Sequence, residues 1–336
     1  MTPTPVAQVT DLHVHFRVRH GLTTLTTRAV DGVDLTVGER EIVALVGESG
    51  CGKTTIARTM MRLQDATAGS VWIDGADITN VTGNRLRRLR RHFQMIFQDP
   101  FESLPANSTA YDVVVAGLNI HRRDLDKNAR RDAVLAALAD CGLAESVAPM
   151  HMFALSGGQR QRVAIAAALA VEPKLVIADE PVSMLDISLR ADVLRLLLDL
   201  RDRLGVATLF ITHDLALAGV FGDRVAVLYL GRVVEQGPAA EVISRPTHPY
   251  TRALVDVMPA FGKDRGPRRL LTGEPPNPTT VIDGCRFAPR CPLYRRLGEP
   301  PRCRSEEPAL REVGTGHVVA CHFSDNKAIQ EISDTR

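Results

Sequence analysis

The sequence predicts an α/β fold with a smaller irregular region at its C-terminal end. Three observations carry that expectation. Ile42–Val46 is an apolar, β-branched run of buried-strand length, followed by a glycine-rich turn and an apolar-periodic helix from about Lys53 to Leu63. Two further apolar runs, Leu175–Ala178 and Ala207–Ile211, end in polar residues and alternate with helical patterns. After about residue 256 the composition turns to Pro, Gly and Arg, with too few apolar residues for a core of its own.

The turn reads Gly47-Glu48-Ser49-Gly50-Cys51-Gly52-Lys53-Thr54. Strand, turn and helix together are the context a nucleotide phosphate loop requires. Gly47, Gly50 and Gly52 allow a tight turn whose backbone N–H groups point at one anion. The helix N-terminus, with Thr55 in its first turn, adds positive potential. Lys53 can reach the β- and γ-phosphates, and Thr54 can offer its hydroxyl to Mg²⁺. An ordinary strand–turn–helix corner would not place Lys and Thr in register with the glycines. The loop implies ATP or GTP and says nothing about purpose.

The 336 residues allow one large domain and a small one, and a 45% apolar fraction is enough for a sizeable core. A formal charge of +2 does not demand a nucleic-acid surface. No apolar stretch reaches the ~18 residues of a membrane span. The N-terminal stretch lacks a basic start followed by an apolar run, so no secretory signal and a reducing cytosolic setting are expected.

Val9–Val18 reads as a strand leading into a loop, and residues 29–37 as another that turns at Gly38-Glu39 into the central strand. This opening can form an antiparallel sheet beside the nucleotide base. Phe16 is the aromatic candidate for stacking on adenine, against a plain core role. Residues 71–73 make a short strand and Asp74-Gly75 a turn. Arg85–His92 is a basic run in a helix, read as a solvated face. Phe93–Phe97 is apolar enough for a buried strand that delivers Gln98 to the site edge. Residues around Pro105 are polar and flexible, and Thr109–Ala148 is helical and Ala-rich.

Ser156-Gly157-Gly158 precedes a second Ala-rich helix, with Ser156 near its N-cap position. This again offers amide donors and a helix terminus to an anion; a capped helix without a ligand is the alternative. Asp179 and Glu180 stand at the C-terminal end of an apolar strand, where open α/β sheets place ligands. Asp179 suits Mg²⁺, directly or through water. Glu180 suits a base or a water-orienting role beside a γ-phosphate. Leu185-Asp186 leads into a helix, Leu189–Leu204, with one apolar side. His213 leaves the strand Ala207–Ile211 as the acids leave theirs, and can meet the γ-phosphate and the attacking water. Residues 225–237 close the alternation as a hairpin.

Over roughly residues 6–255 these pieces resemble the ATP-binding subunit of an ATP-binding cassette (ABC) transporter. The resemblance rests on the phosphate loop 47–54, a Q-loop at Gln98, the LSGGQ signature at 155–159, the acidic strand end 175–180, a D-loop at 184–186 and the switch His213. It implies a P-loop ABC cassette: a mixed core sheet with flanking helices, an antiparallel β subdomain and a helical subdomain at about 99–165. The nucleotide-binding domain would be 1–255 and the extension 256–336. Two such subunits would pack head to tail. Each ATP would lie between the phosphate loop of one and Ser156, Gly157, Gly158 and Gln159 of the other, with Asp186 at the junction. The implied catalytic set is Lys53, Gln98, Glu180 and His213, with Mg²⁺ held by Thr54, Gln98 and Asp179. Gln98 would also border the groove that accepts a membrane subunit. The chain departs from the family at Ser103–Asn107, where SLNPR is common, at Ala167, where Arg is usual, and at Met184, where Ala is usual.

In the tail, Cys285-x₅-Cys291-x₁₁-Cys303-x₁₇-Cys321 offers four thiolates. The spacing is not that of short zinc knuckles; four thiolates can hold zinc or an iron–sulfur cluster, and spacing does not choose. His317 and His322 are spare potential ligands. With HPYTRAL (248–254), GCRFAPRCP and the late ACH, the tail resembles the dipeptide/oligopeptide/nickel importer branch, whose ATPases carry this extension. Some members hold a [4Fe–4S] cluster, and the resemblance makes Cys285, Cys291, Cys303 and Cys321 its ligands; zinc, free thiols or buried apolar cysteines are the alternatives. The branch implies two ATPases (the second a paralogue or another copy), two membrane permeases and an extracytoplasmic binding protein, at the cytoplasmic face of the plasma membrane. The implied function is ATP hydrolysis powering import of di- and oligopeptides. Nickel or sugar import, a non-transport ABC ATPase and a cassette that only regulates are the alternatives.

Overall fold

The computed structural model describes residues 5–20, 23–99, 104–258, 273–274, 276, 279–280 and 282–324. Among these, twelve strands form two sheets: β1 Ala7–His20, β2 Thr23–Val37, β3 Ile42–Val46, β4 Ala68–Ile73, β5 Ala76–Asp77, β6 Phe93–Ile96, β7 Leu175–Asp179, β8 Ala207–Thr212, β9 Arg224–Tyr229, β10 Arg232–Pro238, β11 Arg311–Gly314 and β12 His317–Val319. The smaller sheet is antiparallel, in the order β2-β1-β4-β5. The larger runs β11-β12-β10-β9-β3-β8-β7-β6. Its β9-β3-β8-β7-β6 portion is parallel, and the β9–β10, β10–β12 and β12–β11 pairs are antiparallel.

The central parallel strand, β3, is apolar and buried along its whole length because both its faces are covered. Ile42, Ala44 and Val46 face one core cluster, and Val43 and Leu45 face the other. β1 and β2 run longer than their apolar patterns suggest. Their ladder continues out to His20 opposite Thr23, through a Thr-rich stretch whose β-branching suits a strand. The turns at Asp74-Gly75 and Leu230-Gly231 have positive φ at both residues, the geometry of a tight two-residue hairpin.

The helices differ from expectation mainly at their ends. The first is Lys53–Met60, the basic one is Gly83–Leu89 with no buried residue, and the long apolar-sided one is Ile187–Leu204, started by Asp186. The stretch 109–148 is two helices, Ala110–His121 and Lys127–Asp140, then a 3-10 turn at Glu145–Val147. The break has a cause: Asp126 accepts from the Ala129 N–H and caps the second helix. No helix among the described residues is long and apolar enough to cross a membrane.

The described tail shares the larger sheet and core. β12 pairs with β10, and Phe287, Cys291, Leu293, Tyr294 and Cys303 pack into the same cluster as β3 and β7. The junction turns on Glu235, which is fully buried. It accepts from the Thr247 and His248 N–H groups, at 2.8 and 2.9 Å, and meets His317 Nε2 at 2.8 Å. His317 is therefore a buried structural partner, and His322 Nε2 pairs with the Glu306 carbonyl. His248 caps the helix Pro249–Asp256 through Nδ1.

His248 has a consequence for pH. Burial pushes its pKa down to about 4, against the pull of nearby Glu235. The unfolded chain therefore takes up this proton first as pH falls, and stability drops between about pH 6.5 and 4. The expected loss from this group is about 2 kcal/mol between pH 7 and pH 5. Urea unfolding at both pH values checks it: His248→Asn, which keeps a capping oxygen and cannot titrate, should show a shallower fall than the parent.

Candidate active site

Four adjacent strands of the larger sheet, β3, β8, β7 and β6, end at one place. β3 delivers the loop 47–54, β6 delivers Gln98, β7 delivers Asp179 and Glu180, and β8 delivers Thr212 and His213. The loop is glycine-rich for steric reasons. A Cβ on Gly47 would lie 2.3 Å from the Leu228 carbonyl oxygen, and one on Gly52 would lie 2.3 Å from that of Ala29. Gly52 also has φ +113°, and no side chain caps the helix that follows, so its first amides remain available to an anion. Lys53 is buried and donates from Nζ to the carbonyls of Gly47 and Glu48, at 2.7 and 3.0 Å. Its third donor makes only a long contact, 3.8 Å, to Cys51 Sγ, a weak acceptor that a phosphate oxygen would displace.

Thr54 Oγ1 donates to Asp179 Oδ1 at 3.3 Å. Two oxygens on adjacent octahedral positions of Mg²⁺, with bonds of about 2.1 Å, lie about 3.0 Å apart, so this pair fits the ion. Burial pushes the Asp179 carboxyl pKa up, against the Thr54 hydrogen bond, and the Glu180 charge adds to the rise. A bound divalent cation would reverse that balance. Glu180 has φ +45°, a strained conformation for a non-glycine residue and one that clusters at functional sites. Each of its oxygens has a partner: Gln98 Nε2 donates to Oε2 at 3.3 Å, and His213 Nδ1 lies 3.2 Å from Oε1. The structure thus brings Lys53, Thr54, Asp179, Glu180, Gln98 and His213 together. Gln98 is held by Glu180 and not by the Thr54–Asp179 pair.

The second anion-facing candidate, Ser156–Gln159, makes no hydrogen bond to this group among the described residues. Ser156 and Gln159 form a reciprocal cap on the helix Gly157–Leu169, and a Cβ on Gly158 would lie 3.0 Å from Leu189 Cδ2. Among the described residues, the hydrogen bonds of 156–159 stay within that cap and none reaches 47–54. Asp186 caps the helix Ile187–Leu204 through Leu189 N–H and Ser188. Phe16 lies on β1 opposite Thr27, half-buried against the core of the smaller sheet. Of the family departures, Ser103 lies outside the described residues, Ala167 packs against the core, and Met184 is 60% exposed beside Asp186.

Sequence reasoning missed two charge clusters. Glu48, inside the phosphate loop, is gripped by Arg290 from the tail. Asp31 on β2 accepts on Oδ2 from Arg286, with Arg28 and Arg232 nearby, while Oδ1 meets His13 Nδ1 and His15 Nε2 at 2.9 Å each. Burial pushes the Asp31 pKa up, but the hydrogen bonds from Arg286, His15 and His13 outweigh it and hold the carboxyl well below the usual range. His13, His15 and Asp31 place ligand atoms within 4.8 Å of one another, close enough for one metal ion. The three guanidinium groups already balance the carboxylate, which favours an ion-pair hub over a cation site. No pattern in the sequence announces either cluster, because the partners lie far apart in the chain.

The four tail cysteines converge as free thiols. Burial pushes Cys285, Cys291 and Cys321 up to about 12 and raises Cys303 as well. Every pair among the four interacts electrostatically. Gly284 permits the approach, since a Cβ there would lie 2.4 Å from the Cys303 carbonyl oxygen. No three of the sulfurs lie within 4.8 Å of one another. Tetrahedral zinc, with bonds of about 2.3 Å, would bring all four to about 3.8 Å.

Residues 30–183 match the family model described as ABC transporter, and residues 234–296 match that of the oligopeptide/dipeptide transporter C-terminal region. A putative peptide import ATP-binding protein of Brucella ovis is 43% identical over 322 residues, 96% of this chain and 98% of that protein. An oligopeptide transport ATP-binding protein of Bacillus subtilis is 39% identical, over 95% of this chain and 97% of that one. Among solved structures, a dimeric ATP-binding cassette in a post-hydrolysis state with ADP and Pi is 30% identical. It covers 69% of this chain and 98% of its own, with a TM-score of 0.62.

Proposed function

The chain belongs to the ABC transporter family of ATP-binding proteins, and we propose that it is the ATP-hydrolysing subunit of an importer for di- and oligopeptides. The observation that carries this reading is the convergence of phosphate loop, Asp179, Glu180, Gln98 and His213 at four neighbouring strand ends, in a chain with a peptide-transporter C-terminal region. The loop amides and Lys53 hold the β- and γ-phosphates. Thr54 and Asp179 hold Mg²⁺, which when bound neutralises phosphate charge. Glu180 orients the attacking water and receives its proton, while Gln98 and His213 fix the carboxylate.

On this reading, Ser156-Gly157-Gly158-Gln159 serve the ATP of a second ATPase subunit. The absence of any hydrogen bond from them to this chain's own phosphate loop among the described residues supports that, as does the dimeric state of the similar solved cassette. The complex would sit at the cytoplasmic face of the plasma membrane, joined to two permeases and fed by an extracytoplasmic binding protein. Exposed Phe97, next to Gln98, and exposed Phe153, whose N–H donates to the Ala106 carbonyl in the segment after the Q-loop, supply apolar surface for such a contact. The mutual electrostatic interaction of the four thiols, in a tail that matches the peptide-transporter C-terminal region, supports a [4Fe–4S] cluster in the extension, 256–336, appended to the cassette, 1–255.

The test is the reconstituted complex in vesicles. Peptide-loaded binding protein should raise its ATPase rate and drive peptide uptake. Equal stimulation by a nickel chelate or a sugar would move the cargo assignment; no ATPase activity in any assembly would overturn the function.

A further inference from the structure

Glu48 poses an electrostatic problem. It lies in the phosphate loop, and a bare carboxylate there would repel a polyphosphate. The tail answers it. Arg290 spans the carboxylate with two bonds, Nη1 to Oε2 at 3.0 Å and Nη2 to Oε1 at 3.2 Å. Such a fork is the strongest and most directional ion-pair geometry available to a protein. Arg290 is only 7% exposed, sits 5.9 Å from the Tyr229 ring centre and 3.5 Å from its hydroxyl.

The loop backbone is held at the same residue. The Glu48 N–H donates to the Tyr250 hydroxyl at 3.1 Å. Tyr250 is fully buried and packs on Tyr229 and Phe287, ring centres 4.7 and 5.4 Å away. Phe287 and Arg290 both belong to the short segment between Cys285 and Cys291. One flank of the phosphate loop is thus fixed by residues from outside the cassette motifs.

We propose that Arg290 and Tyr250 are positioning residues for ATP: they hold Glu48 and cancel its charge, so the C-terminal extension sets part of the nucleotide affinity. The inference rests on the ATP reading of the loop. It acts on ground-state binding, so it should appear in KM and Kd and hardly in kcat.

The experiment uses the full chain, with Mg-ATP binding by titration, steady-state kinetics in the assembled complex and a thermal melt for each variant. Arg290→Gln should weaken ATP about tenfold in Kd and KM, about one charge contact's worth, with kcat within about threefold. Adding Glu48→Gln should restore affinity to within about threefold, because no charge then needs cancelling. Tyr250→Phe should also raise KM, by a smaller factor. Wild-type affinity in Arg290→Gln, or a loss that Glu48→Gln does not relieve, overturns the proposal. Where Arg290→Gln does not fold, Arg290→Met, which keeps an unbranched apolar stem and removes the charge, carries the same two tests. A parent chain that binds no Mg-ATP would instead sink the ATP reading itself.

Discussion

Glu180→Gln is expected to cut ATP hydrolysis by about a thousandfold, the scale of a lost general base, while leaving ATP bound. The argument is geometric. Glu180 follows β7 at φ +45°, and its two carboxylate oxygens are separately engaged by Gln98 and His213. Glutamine has the same shape and can stay in that grip, since the Gln98 amide and the His213 tautomer can each supply the complementary group. It cannot take a proton from water. Nothing that holds phosphate is touched: Lys53, Thr54 and Asp179 make their contacts elsewhere. ATP should therefore accumulate in a closed two-subunit state. Phosphate release measures the first effect, and ATP-dependent dimer formation by size-exclusion chromatography measures the second. Near-normal hydrolysis would remove Glu180 from the mechanism.

The parts of this site that the sequence announces are those that local order controls. Gln98, Glu180 and His213 each stand just beyond an apolar run of strand length, Lys53 closes the loop that leaves another, and a parallel sheet places the ends of such runs together. The glycine spacing of the loop likewise reports a backbone constraint, seen at Gly47 and Gly52 as clashes with carbonyl oxygens. Other features depend on pairs distant in sequence. Glu48 and Arg290 are 242 positions apart, and Asp31 and Arg286 are 255 apart, so neither pattern has a local signature. His13 and His15 read only as polar positions of a strand until β2 brings Asp31 beside them. The exchange of one long helical stretch for two helices was in principle legible, because Asp126 is a capping residue three positions before Ala129. The outer reach of β1 and β2 was not, because pairing between two polar segments outweighs their lack of apolar alternation.

Anaerobically prepared protein should carry about four irons per chain and absorb broadly toward the blue, and Cys291→Ser should lose both. The reasoning starts from the thiols' surroundings. Burial holds Cys285, Cys291 and Cys321 near 12, so without a metal they stay protonated at neutral pH. A cluster would need thiolates, so its formation would expel protons, and the thiolates' charge would be offset by the iron they bind. The gain is structural, because the four sulfurs come from segments that share little else. Cys285 and Cys303 touch through a backbone hydrogen bond of 2.9 Å, and Cys321 follows β12, which is anchored on β10. A group bonded to all four acts as a crosslink between these loops. Losing it should cost about 3 kcal/mol, comparable to a lost disulfide, and lower the melting midpoint by about 4 °C in a chain of this size. Elemental analysis, absorption spectra and thermal melts of parent and variant decide the matter. Iron-free parent protein whose melting point is unchanged in Cys291→Ser would leave the thiols as ordinary buried side chains.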